Sequence, residues 1–151
     1  VRFLSVTMRG PGTGSKQGNF YRVKDGTTLM EWAFSSFADY IPENKIQKNY
    51  PVAVPGAKTK FVNLVPAWTN AVTVPHINSQ TAAEDAENVT AEIQLPKCIY
   101  GGTKLGAVYG QIQYKLGNTV LETVPLVADR TAQKAGLWGQ FWGKLACLRI
   151  R

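Results

Sequence analysis

The run Leu105–Val127, LGAVYGQIQYKLGNTVLETVPLV, constrains this chain more than any other. Two stretches rich in β-branched and aromatic residues flank Gly117-Asn118, a dipeptide that accepts the positive φ angles of a tight hairpin. In the first stretch Val108, Gly110, Ile112, Tyr114 and Leu116 alternate with Tyr109, Gln111, Gln113 and Lys115, as in a half-buried strand. In the second, Val120, Val124 and Leu126 share a face interrupted by Glu122. Pro125 is tolerated only where its missing N–H faces outward, which predicts a sheet edge. Two registers are open. A two-residue loop sets Tyr114 opposite Leu121 and Gln113 opposite Glu122; a three-residue loop aligns Leu116 with Val120 and Ile112 with Val124. The shorter loop is preferred.

Upstream of the hairpin, strand-like runs at Ile46–Val54, Lys60–Val65, Ala71–Pro75 and Thr90–Leu95 are divided by Pro55-Gly56, Pro66-Ala67, the polar stretch Asn78–Asn88 and the loop 96–102. Short strands at this spacing predict a mainly β fold, a small antiparallel β-sandwich. It is preceded by one strand over residues 1–8 and, after a Gly-, Ser- and Thr-rich loop to about Asn19, one helix over Asp25–Tyr40. Asp25, Thr27 and Thr28 are its candidate N-caps, and Leu29, Trp32, Ala33, Phe37 and Tyr40 its core-facing stripe, with Pro42 ending it. Gly10-Pro11-Gly12-Thr13-Gly14-Ser15-Lys16 lacks the Gly-Lys-Ser/Thr ending of a phosphate-binding loop. The chain begins at Val1 with a strand already under way, as in a piece of a longer protein.

Lys plus Arg number 17 against 10 Asp plus Glu, a net charge of +7 that suits an anionic partner. No apolar run approaches the ~20 residues of a membrane-spanning helix. After Asp129 come Arg130, Lys134, Lys144, Arg149 and Arg151 and no acid. Within that tail Leu137, Trp138, Phe141, Trp142, Leu145 and Leu148 fall on roughly a 140° arc at about 100° per residue. Two Trp and a Phe on one face with basic neighbours predict a helix lying in a membrane interface. Lys144, Arg149 and Arg151 are the candidate headgroup contacts. Gly136, Gly139 and Gly143 weaken such a helix in water, a cost a bilayer offsets. Cys98 and Cys147 have no metal-ligand spacing and read as free thiols.

No catalytic site is complete. Ser5, Ser15, Ser35, Ser36 and Ser79 are followed three residues on by Met8, Gly18, Ala38, Asp39 and Ala82, never by Lys. Lys58-Thr59-Lys60 and Gly102-Thr103-Lys104 have the wrong order for Lys-Thr-Gly. His76 has no acid or Cys adjacent in sequence and reads as a surface or packing histidine. Glu84, Asp85 and Glu87 read as solvated loop carboxylates. No cofactor or structural metal is expected.

The order of features resembles the C-terminal part of the low-molecular-mass penicillin-binding proteins, serine D-alanyl-D-alanine carboxypeptidases of the bacterial envelope. The resemblance rests on the helix with Trp32-Ala33-Phe34, the strand Gly110-Gln111-Ile112-Gln113-Tyr114, the close Pro125-Leu126-Val127 and the aromatic tail. It implies that residues 1–42 are the last strand and helix of a peptidase domain, 43–129 the β-rich C-terminal domain, and 130–151 an amphipathic helix. That helix would rest on the outer face of the cytoplasmic membrane. Ser-x-x-Lys, Ser-x-Asn and Lys-Thr-Gly, which carry the family's acyl-serine chemistry, are absent, so the chain is expected to be inactive alone. The implied partners are an N-terminal peptidase domain, an anionic membrane surface, and peptidoglycan or other envelope proteins. Two rivals are an extracytoplasmic interaction module and a basic β-barrel that binds nucleic acid. The spread of lysines and the placing of aromatics in helices argue against nucleic acid.

Overall fold

The computed structural model describes residues 2–8, 11–42, 46–77 and 80–149. The described chain contains helix α1 (Gly14–Ser36), strands β1 (Phe37–Tyr40), β2 (Tyr50–Ala53), β3 (Phe61–Pro66) and β4 (Val72–Pro75), helix α2 (Ala82–Glu87), strands β5 (Thr90–Gln94), β6 (Val108–Leu116) and β7 (Thr119–Ala128), and helix α3 (Leu137–Arg149). It is mainly β between α1 and α3, with two antiparallel sheets, as the strand spacing predicts. The chain divides into two compact units, Val1–Tyr40 with Val72–Val89, and Ile41–Ala71 with Thr90–Arg151.

In the first unit β1 and β4 pair antiparallel, Tyr40 opposite Val72 and Ala38 opposite Val74. Tyr40, Val72, Val74 and Ala33 form its buried centre with Ala82 and Ala86 of α2. Three expectations are corrected here. The helix begins at Gly14, eleven residues before Asp25, and its first turn is held by Gln17, whose Oε1 accepts from the Thr13 N–H at 3.0 Å. It also ends at Ser36: Phe37–Tyr40 leave the helix because pairing with β4 buries Tyr40, which a continued helix would not. Trp32 and Leu29, assigned to a core stripe, are exposed; Ala33 is the buried residue of α1.

Residues 2–8 form no strand, since no ladder partner meets them among the described residues. They nonetheless run extended along α1. Phe3 packs edge-on against Phe34 at 5.1 Å and Thr7 lies near Gly26. The four steps from Phe3 to Thr7 cover about the same length as the eight helical steps from Gly26 to Phe34, about 12 Å. Leu4, Val6 and Met8 on the alternate positions are exposed. Val1 and Gly10, included in the expected strand and loop, lie outside the described residues.

The polar stretch 78–88 holds α2, missed as a loop; Asn78 and Ser79 fall outside the described residues. Thr81 is its N-cap, with Oγ1 accepting from the Glu84 N–H at 3.3 Å while Glu84 Oε2 accepts from the Gln80 N–H at 3.0 Å. The Thr-x-x-Glu spacing of a capping box was the legible signal. Asp85 is not solvated but fully buried, where it accepts from the Ile77 N–H at 2.7 Å. His76 Nδ1 stands 3.5 Å from its Oδ2.

The second unit is built on a five-stranded sheet in the order β2-β3-β7-β6-β5. β7 is central, which corrects the sheet-edge expectation. Pro125 survives there because β3 ends opposite Leu126: the Pro125 carbonyl accepts from the Ala67 N–H at 2.9 Å, and the side where an N–H is missing lies beyond the last β3 pair. The loop is the two-residue one, Leu116 opposite Thr119, but Leu121 is an extra residue between the pairs Lys115/Val120 and Tyr114/Glu122. Beyond this bulge the register becomes the other alternative, Ile112 opposite Val124. The bulge also turns Val120 out to solvent and lets Glu122 accept from the Trp68 indole at 3.0 Å.

Leu64, Ile112, Tyr114 and Leu126 make the centre of this core, each aliphatic burial stabilising by about 1.5–3 kcal/mol. Gly110 admits the neighbouring strand: a Cβ there would lie 2.6 Å from the Gln94 carbonyl oxygen. Edge strand β5 is mostly exposed and carries Glu92, which pairs diagonally with Lys115.

At the end of β7, Asp129 accepts from the Asn63 N–H and side-chain amide, both at 3.2 Å, and from the Arg130 guanidinium at 2.8 Å. The Arg130 hydrogen bonds, ahead of the opposing effect of burial, hold its carboxyl below the usual carboxylate range. A depressed folded-state pKa stabilises fully above the ordinary value near ~3.9, and that contribution is lost as pH falls through the depressed value. Asp129→Asn is therefore expected to flatten the acid limb of stability below about pH 4. The check is the urea midpoint against pH for both proteins; superimposable curves would contradict the assignment.

Candidate membrane-contact surface

Helix α3 is positioned by its small residues. Gly139, Gly143 and Cys147 recur every four residues, so they lie on one stripe. Of the three, Gly143 is buried, Cys147 half-buried and Gly139 exposed. Gly143 is buried against the Pro55-Gly56 turn so closely that a Cβ would sit 2.3 Å from the Gly56 nitrogen. Gly56 itself has φ +83°, a conformation that requires glycine, and meets the Tyr100 ring from the other side. Tyr100 donates its hydroxyl to the Gln140 carbonyl at 3.0 Å, and the Ala135 N–H donates to the Gly56 carbonyl at 2.8 Å.

Cys98 and Cys147 are joined in a disulfide across 49 residues, with their Cα atoms 6.1 Å apart. This corrects the free-thiol expectation. The pairing arises because docking of Gly143 brings Cys147 over the loop after β5, a proximity no local spacing encodes. Gly143 likewise has a role other than a weakness offset by lipid: it lets the helix approach backbone.

Docking one side leaves the opposite arc outward. Leu137 is 87% and Trp138 80% exposed, and Phe141, Trp142, Leu145 and Leu148 are all exposed. Lys144 and Arg149 are exposed as well, Arg149 within the arc and Lys144 at its margin. Arg151 lies outside the described residues. Phe141 and Trp142 meet edge to face at 6.1 Å. A shallow apolar hollow is lined by Leu137, Trp138 and Phe141. Arg130, counted with the basic tail, is held by Asp129 instead.

The described residues contain no helix long and apolar enough to cross a membrane and no group of three or more His, Cys, Asp or Glu arranged to hold a metal ion. Thr103, in the near-miss Gly102-Thr103-Lys104, is buried and bonds backbone: its hydroxyl donates to the Arg130 carbonyl at 3.0 Å and accepts from the Ala132 N–H at 3.1 Å.

With a five-stranded sheet, a hairpin carrying Gly-x-Ile-x-Tyr and a docked terminal helix in place, a family match defines the class. Residues 41–134 match the family described as penicillin-binding protein 5, C-terminal domain. That is more than half of the chain, and the chain belongs to this family. Among solved structures it is similar to penicillin-binding protein 5 from Haemophilus influenzae, with 18% identity and a TM-score of 0.59 over 76% of this chain and 32% of that one. It also aligns with the D-alanyl-D-alanine carboxypeptidase DacD from Francisella tularensis, at 19% identity and TM-score 0.47, covering 79% of this chain and 28% of that one. The first of these is a likeness of fold; this chain spans about a third of the length of that relative. No curated protein matches it in sequence.

Proposed function

We propose that this chain is the non-catalytic C-terminal section of a D-Ala-D-Ala carboxypeptidase of the bacterial envelope. In this reading it holds a peptidase domain at the outer face of the cytoplasmic membrane, where peptidoglycan is remodelled. Residues 1–42 are the end of the peptidase domain, 43–129 the β-rich module and 130–151 the anchor. The carrying observation is the orientation of α3: it docks through Gly143 on the Pro55-Gly56 turn, and Leu137, Trp138, Phe141, Trp142, Leu145 and Leu148 face outward together. Such a face with two tryptophans suits insertion about 5–10 Å into the headgroup boundary. Lys144, Arg149 and Arg151 then reach anionic headgroups, each contributing about 1 kcal/mol near the surface. The disulfide supports an oxidising, extracytoplasmic compartment. The exposed alternate residues Leu4, Val6 and Met8 suit a strand whose sheet belongs to the preceding peptidase domain.

The test is co-sedimentation with anionic liposomes of the chain and of a Trp138→Ser/Phe141→Ser variant. Both positions are exposed, so the fold is expected to persist. The reading requires that the variant stay in the supernatant while the parent pellets. Equal recovery of both in the supernatant would leave the aromatic face as a protein-binding surface and the chain as an interaction module.

A further inference from the structure

Resting on the membrane-surface reading of α3, we infer that the β unit itself contributes a second, basic contact to the same anionic lipid surface, through Lys58, Lys60, Lys97 and Lys134. Each of these lysines stands on a segment that holds α3. Lys58 follows the Pro55-Gly56 turn against which Gly143 packs; its N–H donates to the Gln133 carbonyl at 2.9 Å and its Nζ to Gln133 Oε1 at 3.0 Å. Lys134 bridges to Ala57 on the same turn. Lys60 lines a groove of about 370 Å³ shared with Gly139, Trp142, Gly143 and Ala146 of α3. Lys97 adjoins Cys98, covalently bound to Cys147. All four are exposed, and no carboxylate pairs with them among the described residues.

The charge of this end is one-sided. Residues 55–60, 96–104 and 131–149 together carry Lys58, Lys60, Lys97, Lys104, Lys134, Lys144 and Arg149 and not one of the ten Asp and Glu residues, while the neighbouring Arg130 is neutralised by Asp129. A helix is about 10–12 Å across, and its outer face enters the boundary by about 5–10 Å. Groups beside its docked face therefore fall at the level of the lipid phosphates. A cationic rim around an apolar insert matches an anionic headgroup layer lying over an acyl boundary. The disulfide and the Gly56/Gly143 contact keep the rim and the insert in a fixed relation, so both engage at once.

The experiment compares four-lysine substitution, Lys58→Gln/Lys60→Gln/Lys97→Gln/Lys134→Gln, with Trp138→Ser/Phe141→Ser in the oxidised full chain. Binding is measured to phosphatidylglycerol-containing vesicles, to pure phosphatidylcholine vesicles and to heparin, after thermal melting and thiol titration confirm fold and disulfide. The expected result is a loss of about five-fold per lysine on anionic vesicles and a shallower salt dependence, with binding to phosphatidylcholine unchanged. Parental affinity of the lysine variant for anionic vesicles would overturn the inference while leaving the anchor intact. Parental affinity of the Trp/Phe variant would overturn the anchor reading. Binding of the parent chain to heparin but to neither vesicle would overturn both in favour of a soluble polyanion.

Discussion

Opening the Cys98–Cys147 bond, by reductant or by Cys98→Ser with Cys147→Ser, is expected to cost about 4 kcal/mol of stability, the chain-entropy value for a loop of this size. The bond spans 49 residues, including the whole hairpin β6-β7, so its absence frees a large part of the unfolded chain. It also leaves α3 held by the Gly56/Gly143 contact and the Tyr100 hydroxyl, and through the residues before it by the Ala135 amide and the Lys58–Gln133 hydrogen bonds. The check is a urea titration of the oxidised and reduced chain followed by far-ultraviolet circular dichroism. A midpoint unmoved by reduction would show that the loop is closed by other contacts and that the disulfide is incidental.

The second large effect is expected at Gly143. A Cβ there meets only backbone, 2.3 Å from the Gly56 nitrogen and 2.6 Å from its Cα, so no side chain can rotate away. Gly143→Val is expected to destabilise by about 1–3 kcal/mol, as overpacking does, and to lift α3 from the turn. Its signature beyond a lower melting temperature is a larger fraction of free thiol after oxidative refolding, because Cys147 is carried away from Cys98. Gly136→Ala is the control: nothing lies within 4 Å of a Cβ there. Equal behaviour of the two variants would contradict the docking geometry.

These two positions also mark how far the sequence could be read. Alternation over Val108–Leu116 and the Gly117-Asn118 turn are local, and they placed the hairpin and the buried Ile112, Tyr114, Leu116, Val124 and Leu126, but not Val108 and Val120, which are exposed. The bulge at Leu121 is not local: it satisfies Glu122 through Trp68, 54 residues away, and so both registers were partly right. Phe37–Tyr40 continued a helical pattern, but pairing with β4 overrode it. For the site, the periodicity of Leu137, Trp138, Phe141, Trp142, Leu145 and Leu148 was legible because an amphipathic arc is written in consecutive residues. What faces the other way was not, because Gly143 gains meaning only from the turn it meets. Gly139, Gly143 and Cys147 at intervals of four were the available hint. The four lysines of the β unit were beyond reach, since they come together from three separated segments.

The most direct test of the account is the depth of Trp138 and Trp142 in a bilayer, read in a Trp32→Phe/Trp68→Phe background so that only the α3 tryptophans emit. Addition of phosphatidylglycerol-containing vesicles is predicted to shift their emission to the blue. Quenching should be strongest by lipids brominated near the headgroup end of the acyl chain and weaker by those brominated toward its tip. Unshifted emission that remains open to a water-soluble quencher in the presence of vesicles would contradict the claim that α3 seats this domain on a membrane.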